Sequence, residues 1–192
     1  MTESIRVVDP SESGRLAEVG EITALAYLAD GLIDAAHPYA KTLRDAHARA
    51  ADATLLAMFD GEAGDGSIVG TLTVVPSGSR FVELASEGEY ELRMLAVSPI
   101  ERGRGIGAKL TQRGMEMAVE AGARRVVLST MENMHAAHRL YERLGFTRRE
   151  DLDWVVADNA DGTITKVTVE QFLADPASAV RGVKLIGYSW EP

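Results

Sequence analysis

One stretch, residues 90–121, constrains the fold of this 192-residue chain more than any other. The segment at residues 89–97 is short and rich in Leu, Met and Val, as buried strands are. Pro99 ends this strand because proline has no N–H to donate. A run of alternating glycines then leads directly into an amphipathic helical pattern. The stretch therefore predicts a strand, a glycine loop and a helix in succession.

This arrangement is typical of a phosphate-binding site. Glycine lets the backbone approach a ligand closely, and the N–H groups at a helix N-terminus are unpaired and carry the positive end of the helix dipole. Arg102 and Arg104 flank the glycines and add charge that suits a phosphate. A loop of the Gly-Lys-Ser/Thr type is excluded, because Gly107 is followed by Ala108 and Lys109, which leaves no hydroxyl for Mg²⁺.

A dinucleotide-binding loop is a second alternative, and it fits less well. Its G-x-G-x-x-A fingerprint matches Gly103, Gly105 and Ala108 literally. The first glycine of that fingerprint should follow the strand directly, however, and residues 99–102 intervene here. A nicotinamide-dependent oxidoreductase is therefore a distant alternative.

The loop resembles the pyrophosphate loop of the GNAT superfamily of acetyl-CoA-dependent N-acetyltransferases. The family signature is Arg or Gln, two residues, Gly, one residue, then Gly or Ala, and Arg102, Gly105 and Gly107 match it. The preceding LRMLAVSP is similar to the family's fourth strand, and LYERLGF at residues 140–146 is similar to the end of a later helix. The resemblance implies acetyl-CoA as the cofactor and acetyl transfer to a primary amine.

The resemblance also implies roles for named residues. Tyr141 matches the family's general acid, although a packing role in the core is the alternative. Glu91 is the expected base, acting through water, with Glu89 as the reserve candidate and a solvated strand end as the alternative. The expected cofactor contacts are Leu95, Ala96, Val97, Arg102, Gly103, Arg104, Gly105, Ile106, Gly107 and Asn133.

The sequence carries fewer signals for the residues that contact the acceptor. In the family, the region after the first helix overhangs the acceptor, so Tyr27, His37 and Tyr39 are candidates for acceptor contacts. Surface or packing roles are the alternative for all of them. The acceptor is a small-molecule or peptide amine, and a homodimer is an open option. We expect direct transfer in a ternary complex, because the chain has no Cys to carry a covalent intermediate. A non-catalytic acyl-CoA-binding module is the other functional class.

Composition excludes several kinds of protein. The absence of Cys excludes disulfides and thiolate metal sites. The net charge of −9 argues against a broad nucleic-acid footprint and mildly favours cationic substrates such as amines, with ordinary solubilising acidity as the alternative. No apolar run is long enough to span a bilayer and no signal-peptide pattern opens the chain, so we predict no membrane partner and a cytoplasmic location. His135 and His138 have helical spacing but lack a third ligand, so no metal is predicted.

Hydrophobic periodicity and turn residues predict the other elements. The fold class is α/β (α+β): a GNAT-like mixed, mostly antiparallel sheet of six to seven strands flanked by about four helices, in one N-acetyltransferase domain, residues 1–192. Strands are predicted at residues 5–8, 54–59, 68–75, 89–97, 125–129, 152–156 and 183–190. Helices are predicted up to residue 29, at 39–50, from Gly105 or Ile106 to Gly122, from an N-cap at Asn133 to Gly145, and briefly at 169–174 within the long connection 157–181.

Overall fold

The structure is a computed structural model and describes residues 3–61, 66–159, 161, 163–175 and 179–192. The strands in these ranges are β1 (Glu3–Val7), β2 (Thr54–Asp60), β3 (Ser67–Pro76), β4 (Glu89–Val97), β5 (Arg125–Met131), β6 (Thr147–Asn159), β7 (Ile164–Thr168) and β8 (Ala179–Trp190). The α-helices are α1 (Ser13–Ala29), α2 (Tyr39–Arg44), α3 (Ala46–Ala50), α4 (Ile106–Glu120), α5 (His135–Arg143) and α6 (Val169–Ala174).

The predicted mixed, mostly antiparallel α/β fold is confirmed. The chain divides into two compact units, Met1–Val126 and Val127–Pro192. In the first unit the strand order is β1-β2-β3-β4, and each neighbouring pair is antiparallel. In the second unit the order is β5-β8-β6-β7, and β6 is antiparallel to both β7 and β8. The organisation as a single catalytic domain stays a prediction.

The described residues contain eight strands, slightly more than the six to seven predicted. The strand missing from the prediction is β7, whose residues are nearly all exposed, so no apolar alternation marks it in the sequence. The short helix predicted at residues 169–174 is confirmed as α6. Its N-terminus is fixed by a capping box in which Thr168 and Gln171 each bond to the other's main-chain N–H. The turn residues predicted between β2 and β3 lie partly outside the described residues.

The prediction of one helix over residues 39–50 is wrong. The chain leaves helical geometry at Asp45, with φ −79° and ψ 69°, so α2 and α3 are separate. The Asp45 carboxylate accepts a hydrogen bond of 2.9 Å from a main-chain N–H of α3, as N-cap residues do. Arg49 then donates to the carbonyl oxygens of Thr42 and Leu43 at 2.9 and 2.8 Å, which satisfies the C-terminal end of α2.

Helix α4 packs on β3 and β4 through a glycine. Ile106, Leu110 and Gly114 are buried along the face that meets these strands. A Cβ at Gly114 would lie 2.8 Å from Cδ2 of Leu72 and 3.0 Å from Cδ2 of Leu92. The glycine therefore permits a close approach of helix and sheet, and this places the N-terminus of α4 after the end of β4.

Candidate active site

The glycine loop connects a short 3-10 turn, Pro99–Glu101, to the first residue of α4. Gly103 and Gly105 have φ values of +81° and +77°, in the left-handed region that favours glycine. A Cβ at either position would meet no atom within 4 Å, so the backbone angle and not crowding requires glycine. Gly105 is the N-cap of α4, and no side chain caps this helix. The first-turn N–H groups therefore have no side-chain cap, and this leaves them available to an anion.

Both arginines of the loop form ion pairs. Arg102 donates to the two carboxylate oxygens of Asp30 at 2.6 and 3.1 Å. Arg104 donates to Glu3 at 2.8 Å and also pairs with Glu101. These contacts tie the loop to the end of α1 and to β1. Because these side chains are partly exposed, such pairs add little stability, and a phosphate can replace a carboxylate as a guanidinium partner.

Strand β4 carries a bulge close to its end. Thr71 of β3 pairs with Ala96, whereas Thr73 pairs with Arg93, so two residues of β4 lie opposite one residue of β3. The first of the two, Met94, has φ +52°, which is unusual for a residue with a side chain. A bulge interrupts pairing and turns main-chain groups out of the ladder. The bulge therefore includes Leu95 and adjoins Ala96, two of the residues for which the family resemblance predicts contacts to acetyl-CoA.

Glu91, the predicted base, is 1% exposed. Its Oε2 accepts hydrogen bonds from the main-chain N–H groups of residues 83, 84 and 85 at 2.8, 2.8 and 3.3 Å. Its Oε1 lies 3.7 Å from Nε of Arg93. The carboxylate is thus engaged within the protein, and its role as a base stays a prediction.

Glu89, the reserve base, is also buried and paired. Its Oε1 lies 2.9 Å from Nη1 of Arg125, and its Oε2 accepts a hydrogen bond of 3.0 Å from the N–H of Ser86. Both carboxylates of β4 are therefore held by partners within the first unit.

Arg93 joins several elements and was not predicted from the sequence. Its side chain is 10% exposed and forms an ion pair of 2.5 Å with Glu83. It also donates to the carbonyl oxygen of Phe81, and its charge opposes the rise in the pKa of Tyr39. The available sequence signal was the spacing of Glu89, Glu91 and Arg93, which places two negative charges and one positive charge on one face of the strand.

Two of the three predicted acceptor residues lie together. The ring centroids of Tyr27 and Tyr39 are 6.2 Å apart, and both rings pack against the cluster that contains Met94 of the bulge. Burial raises the pKa of Tyr39, while the charge of Arg93 acts in the opposite direction. His37 accepts a hydrogen bond of 3.2 Å at Nδ1 from the N–H of Tyr39, next to the start of α2.

Tyr141, the predicted acid, lies in α5 of the second unit and is 8% exposed. Helix α5 ends as predicted: Gly145 has φ +88°, and the N–H of Phe146 bonds to the carbonyl of Tyr141 at 3.0 Å. The Tyr141 ring lies 5.9 Å from Phe146 and 6.1 Å from Tyr188, measured between centroids. Burial, and secondarily Tyr188, raise the pKa of Tyr141 well above its usual range. The phenol is therefore protonated at neutral pH, as a general acid must be.

Asn133 does not cap α5, so that prediction is wrong. The helix begins one residue later than expected, with Met134 at the N-cap position and no side-chain cap. The carbonyl oxygen of Asn133 instead accepts a hydrogen bond of 3.0 Å from the N–H of His135. The contact between Asn133 and the cofactor stays a prediction.

The described residues contain no group of three or more His, Cys, Asp or Glu placed to hold a metal ion. His135 and His138 stack edge to face with centroids 5.6 Å apart, and Nε2 of His138 lies 3.1 Å from the carbonyl oxygen of Met131. Among the same residues, no helix is both long and apolar enough to cross a membrane.

Comparison with known sequences decides the family. The sequence model described as the acetyltransferase (GNAT) family matches residues 20–146, more than half of the chain. The chain belongs to the GNAT acetyltransferase family. The match covers the second part of α1, the glycine loop and all of α5, and it leaves out β1, β6, β7, α6 and β8. The family assignment therefore agrees with the resemblance carried by the loop and by residues 140–146.

Proteins named as acetyltransferases are similar to this chain over short stretches. N-alpha-acetyltransferase 30 of Schizosaccharomyces pombe is 43% identical over 61 residues, which are 32% of this chain and 41% of that protein. The chain spans less than half the length of the named relatives that it matches.

Solved structures agree with a GNAT fold along the whole chain. The PaiA N-acetyltransferase of Thermoplasma acidophilum, solved with coenzyme A, superposes with a TM-score of 0.64 at 13% identity and covers 100% of both chains. A GNAT family acetyltransferase of Brucella melitensis, solved with acetyl-CoA, has a TM-score of 0.52 at 26% identity and covers 76% of this chain and 83% of its own. At 13% identity, the similarity to the PaiA protein is evidence for the fold alone.

Proposed function

We propose that this GNAT acetyltransferase transfers the acetyl group of acetyl-CoA to a primary amine, directly and within a ternary complex. The observation that carries the proposal is the glycine loop: two left-handed glycines, open space around them and an uncapped helix N-terminus. Those features fit a pyrophosphate, because unpaired N–H groups at the positive end of a helix dipole attract an anion and glycine lets the ligand approach the backbone closely. The GNAT family acetyltransferase of Brucella melitensis, 26% identical to this chain, was solved with acetyl-CoA, and this supports the same cofactor.

The cofactor would be held mainly by main-chain atoms. In this proposal the N–H groups of residues 103–107 bind the pyrophosphate, and Arg102 and Arg104 exchange part of their carboxylate contacts for phosphate. Main-chain groups of Leu95, Ala96 and Val97, beside the bulge of β4, bind the pantetheine arm and stabilise charge on the thioester oxygen. Acetyl-CoA supplies the acetyl thioester.

The proposed reaction needs two proton transfers, one to the leaving thiolate and one from the amine. A thiolate of pKa about 8.5 leaves more easily when protonated, and Tyr141 is the proposed donor of that proton. A lysine-like amine of pKa about 10.4 is charged at neutral pH and must lose a proton before it attacks. Glu91 acting through water, Glu89 and water alone are the three routes open to that proton.

The acceptor class follows from two observations that are weaker than the cofactor loop. The net charge of −9 favours a cationic acceptor, and the paired rings of Tyr27 and Tyr39 offer it an aromatic surface. Small polyamine-like or aminoglycoside-like molecules, amino acids and peptide N-termini all satisfy these conditions.

A screen of primary amines tests the proposal. The purified protein is mixed with acetyl-CoA and each amine, and free thiol is read with a colorimetric reagent. Because the chain has no Cys, the protein contributes no background. We expect steady thiol release that depends on the amine. Acetyl-CoA binding without amine-dependent thiol release would instead support the alternative function, a non-catalytic acyl-CoA-binding module.

A further inference from the structure

The contacts of Glu91 and Arg93 lead to an inference that rests on the proposed acetyl transfer. We propose that these two residues are positioning residues: together they fasten residues 81–85 and Tyr39 beside the bulge of β4, and so shape the acceptor side of the active site. In this role Glu91 acts through the loop that it holds, and not as the base.

The first support is the set of hydrogen bonds that the Glu91 carboxylate accepts. One oxygen of its carboxylate receives three consecutive main-chain N–H groups, from residues 83, 84 and 85. Successive N–H groups that converge in this way form a concave anion site. At 1% exposure the charge would be costly to bury without such partners. The carboxylate thus serves as the anion around which the loop folds.

The second support is Arg93, two residues further along the same face of β4. Its planar guanidinium can donate in several fixed directions at once. Here it pairs with Glu83 at 2.5 Å and donates to the carbonyl of Phe81, and its charge acts on the phenol of Tyr39. Two residues of the loop are therefore held by one side chain, which also acts electrostatically on the first residue of α2.

The third support is the position of Tyr39, the residue of α2 on which the network of Glu91 and Arg93 acts. Tyr39 packs with Tyr27 against the cluster that contains Met94, the residue that starts the bulge. The glycine loop is held by different ion pairs, those of Arg102 with Asp30 and of Arg104 with Glu3. Loosening the network should consequently move the acceptor residues and leave the cofactor loop in place.

Glutamine separates a positioning role from a base role at residue 91. Its carbonyl oxygen can still accept the three N–H groups, but it cannot take a proton from an amine. A positioning Glu91 is therefore largely rescued by Glu91→Gln and not by Glu91→Ala. A catalytic base would be lost equally in both variants.

The test compares Glu91→Gln, Glu91→Ala and Tyr39→Phe with a matched control, Glu87→Gln, which removes an exposed glutamate from the same loop. The measurements are kcat and KM for an amine identified in the screen, the pH–rate profile, acetyl-CoA affinity by calorimetry, and hydrogen exchange of the amides of residues 83–85. Tyr39→Phe keeps the ring and removes only the hydroxyl on which the charge of Arg93 acts, so it remains informative if Glu91→Ala fails to fold.

We expect Glu91→Ala to raise KM for the amine about tenfold or more, with acetyl-CoA affinity within about twofold of wild type. The amides of residues 83–85 should exchange faster in this variant and stay protected in Glu91→Gln. Tyr39→Phe should also raise the amine KM, and Glu87→Gln should match wild type. The acidic limb of the pH–rate profile should be the same in Glu91→Gln as in wild type.

Two results would overturn the proposal. One is Glu91→Gln as inactive as Glu91→Ala while its loop amides stay protected, which would assign Glu91 to proton transfer. The other is unchanged exchange at residues 83–85 in Glu91→Ala. If wild type binds acetyl-CoA but acetylates no amine, the proposed function fails, and the exchange measurements alone still decide whether Glu91 holds the loop.

Discussion

At the scale of single residues, Tyr141 shows how packing and chemistry can share one side chain. Its ring contacts Phe146 and Tyr188, and burial raises the pKa of its phenol. Packing needs only the ring, whereas proton donation needs the hydroxyl. The two roles therefore respond differently to removal of a single oxygen atom.

We predict that Tyr141→Phe lowers kcat about 100-fold with little change in acetyl-CoA affinity, because the ring contacts remain and only the acid is lost. The measurements are steady-state kinetics with an amine found in the screen and calorimetry with acetyl-CoA. Tyr188→Phe, which changes the neighbouring ring in the same way, is the control and should keep turnover close to wild type. Wild-type turnover in Tyr141→Phe would restrict Tyr141 to packing.

At the scale of elements, the site depends on how closely α4 approaches β3 and β4. The helix sets the direction of the N–H groups that follow the glycine loop, and Gly114 sets the distance to the strands below. A glycine in the middle of a helix costs about 1 kcal/mol relative to alanine. That cost is offset here by packing, because a Cβ would overlap Leu72 and Leu92.

The same substitution at two glycines tests this point. Gly114→Leu should lower the free energy of unfolding by at least about 1–3 kcal/mol, since the added carbons have no room. Gly14→Leu, in the exposed first turn of α1 with no atom within 4 Å of a Cβ, should leave it unchanged or raise it by up to about 1 kcal/mol. Urea unfolding monitored by circular dichroism measures both. Equal effects at the two sites would show that α4 does not need the close approach.

At the scale of the whole molecule, features set by local rules could be predicted from the sequence. The strand, glycine loop and helix at residues 89–120 have their predicted order, and Gly145 ends α5 in the left-handed conformation expected of it. Both depend on backbone angles that glycine adopts and other residues avoid. The family match over residues 20–146 agrees with the resemblance that these features carry.

The features that sequence reasoning missed depend on long-range partners or on competing local bonds. In the sequence, nothing distinguishes Arg93 from other charged residues on strands. Its role depends on residues outside β4: it pairs with Glu83, donates to Phe81 and acts electrostatically on Tyr39. The break between α2 and α3 arises because the Asp45 carboxylate bonds to a main-chain N–H and replaces a helical contact. Strand β7 is too exposed to carry an apolar alternation.

The central claim is that main-chain N–H groups of the glycine loop hold the pyrophosphate of acetyl-CoA. Gly105 and Gly122 lie at opposite ends of α4, with φ values of +77° and +84° and no atom within 4 Å of a Cβ. Gly105→Glu and Gly122→Glu therefore introduce the same charge and the same backbone strain, but only the first introduces them in the loop.

Calorimetric titration of acetyl-CoA into wild type and these two variants tests the claim most directly. We predict that wild type and Gly122→Glu bind acetyl-CoA with similar affinity. Gly105→Glu should show no measurable binding while its circular dichroism spectrum stays native, because its carboxylate would occupy the phosphate position. An affinity for acetyl-CoA in Gly105→Glu equal to that of wild type would contradict the account.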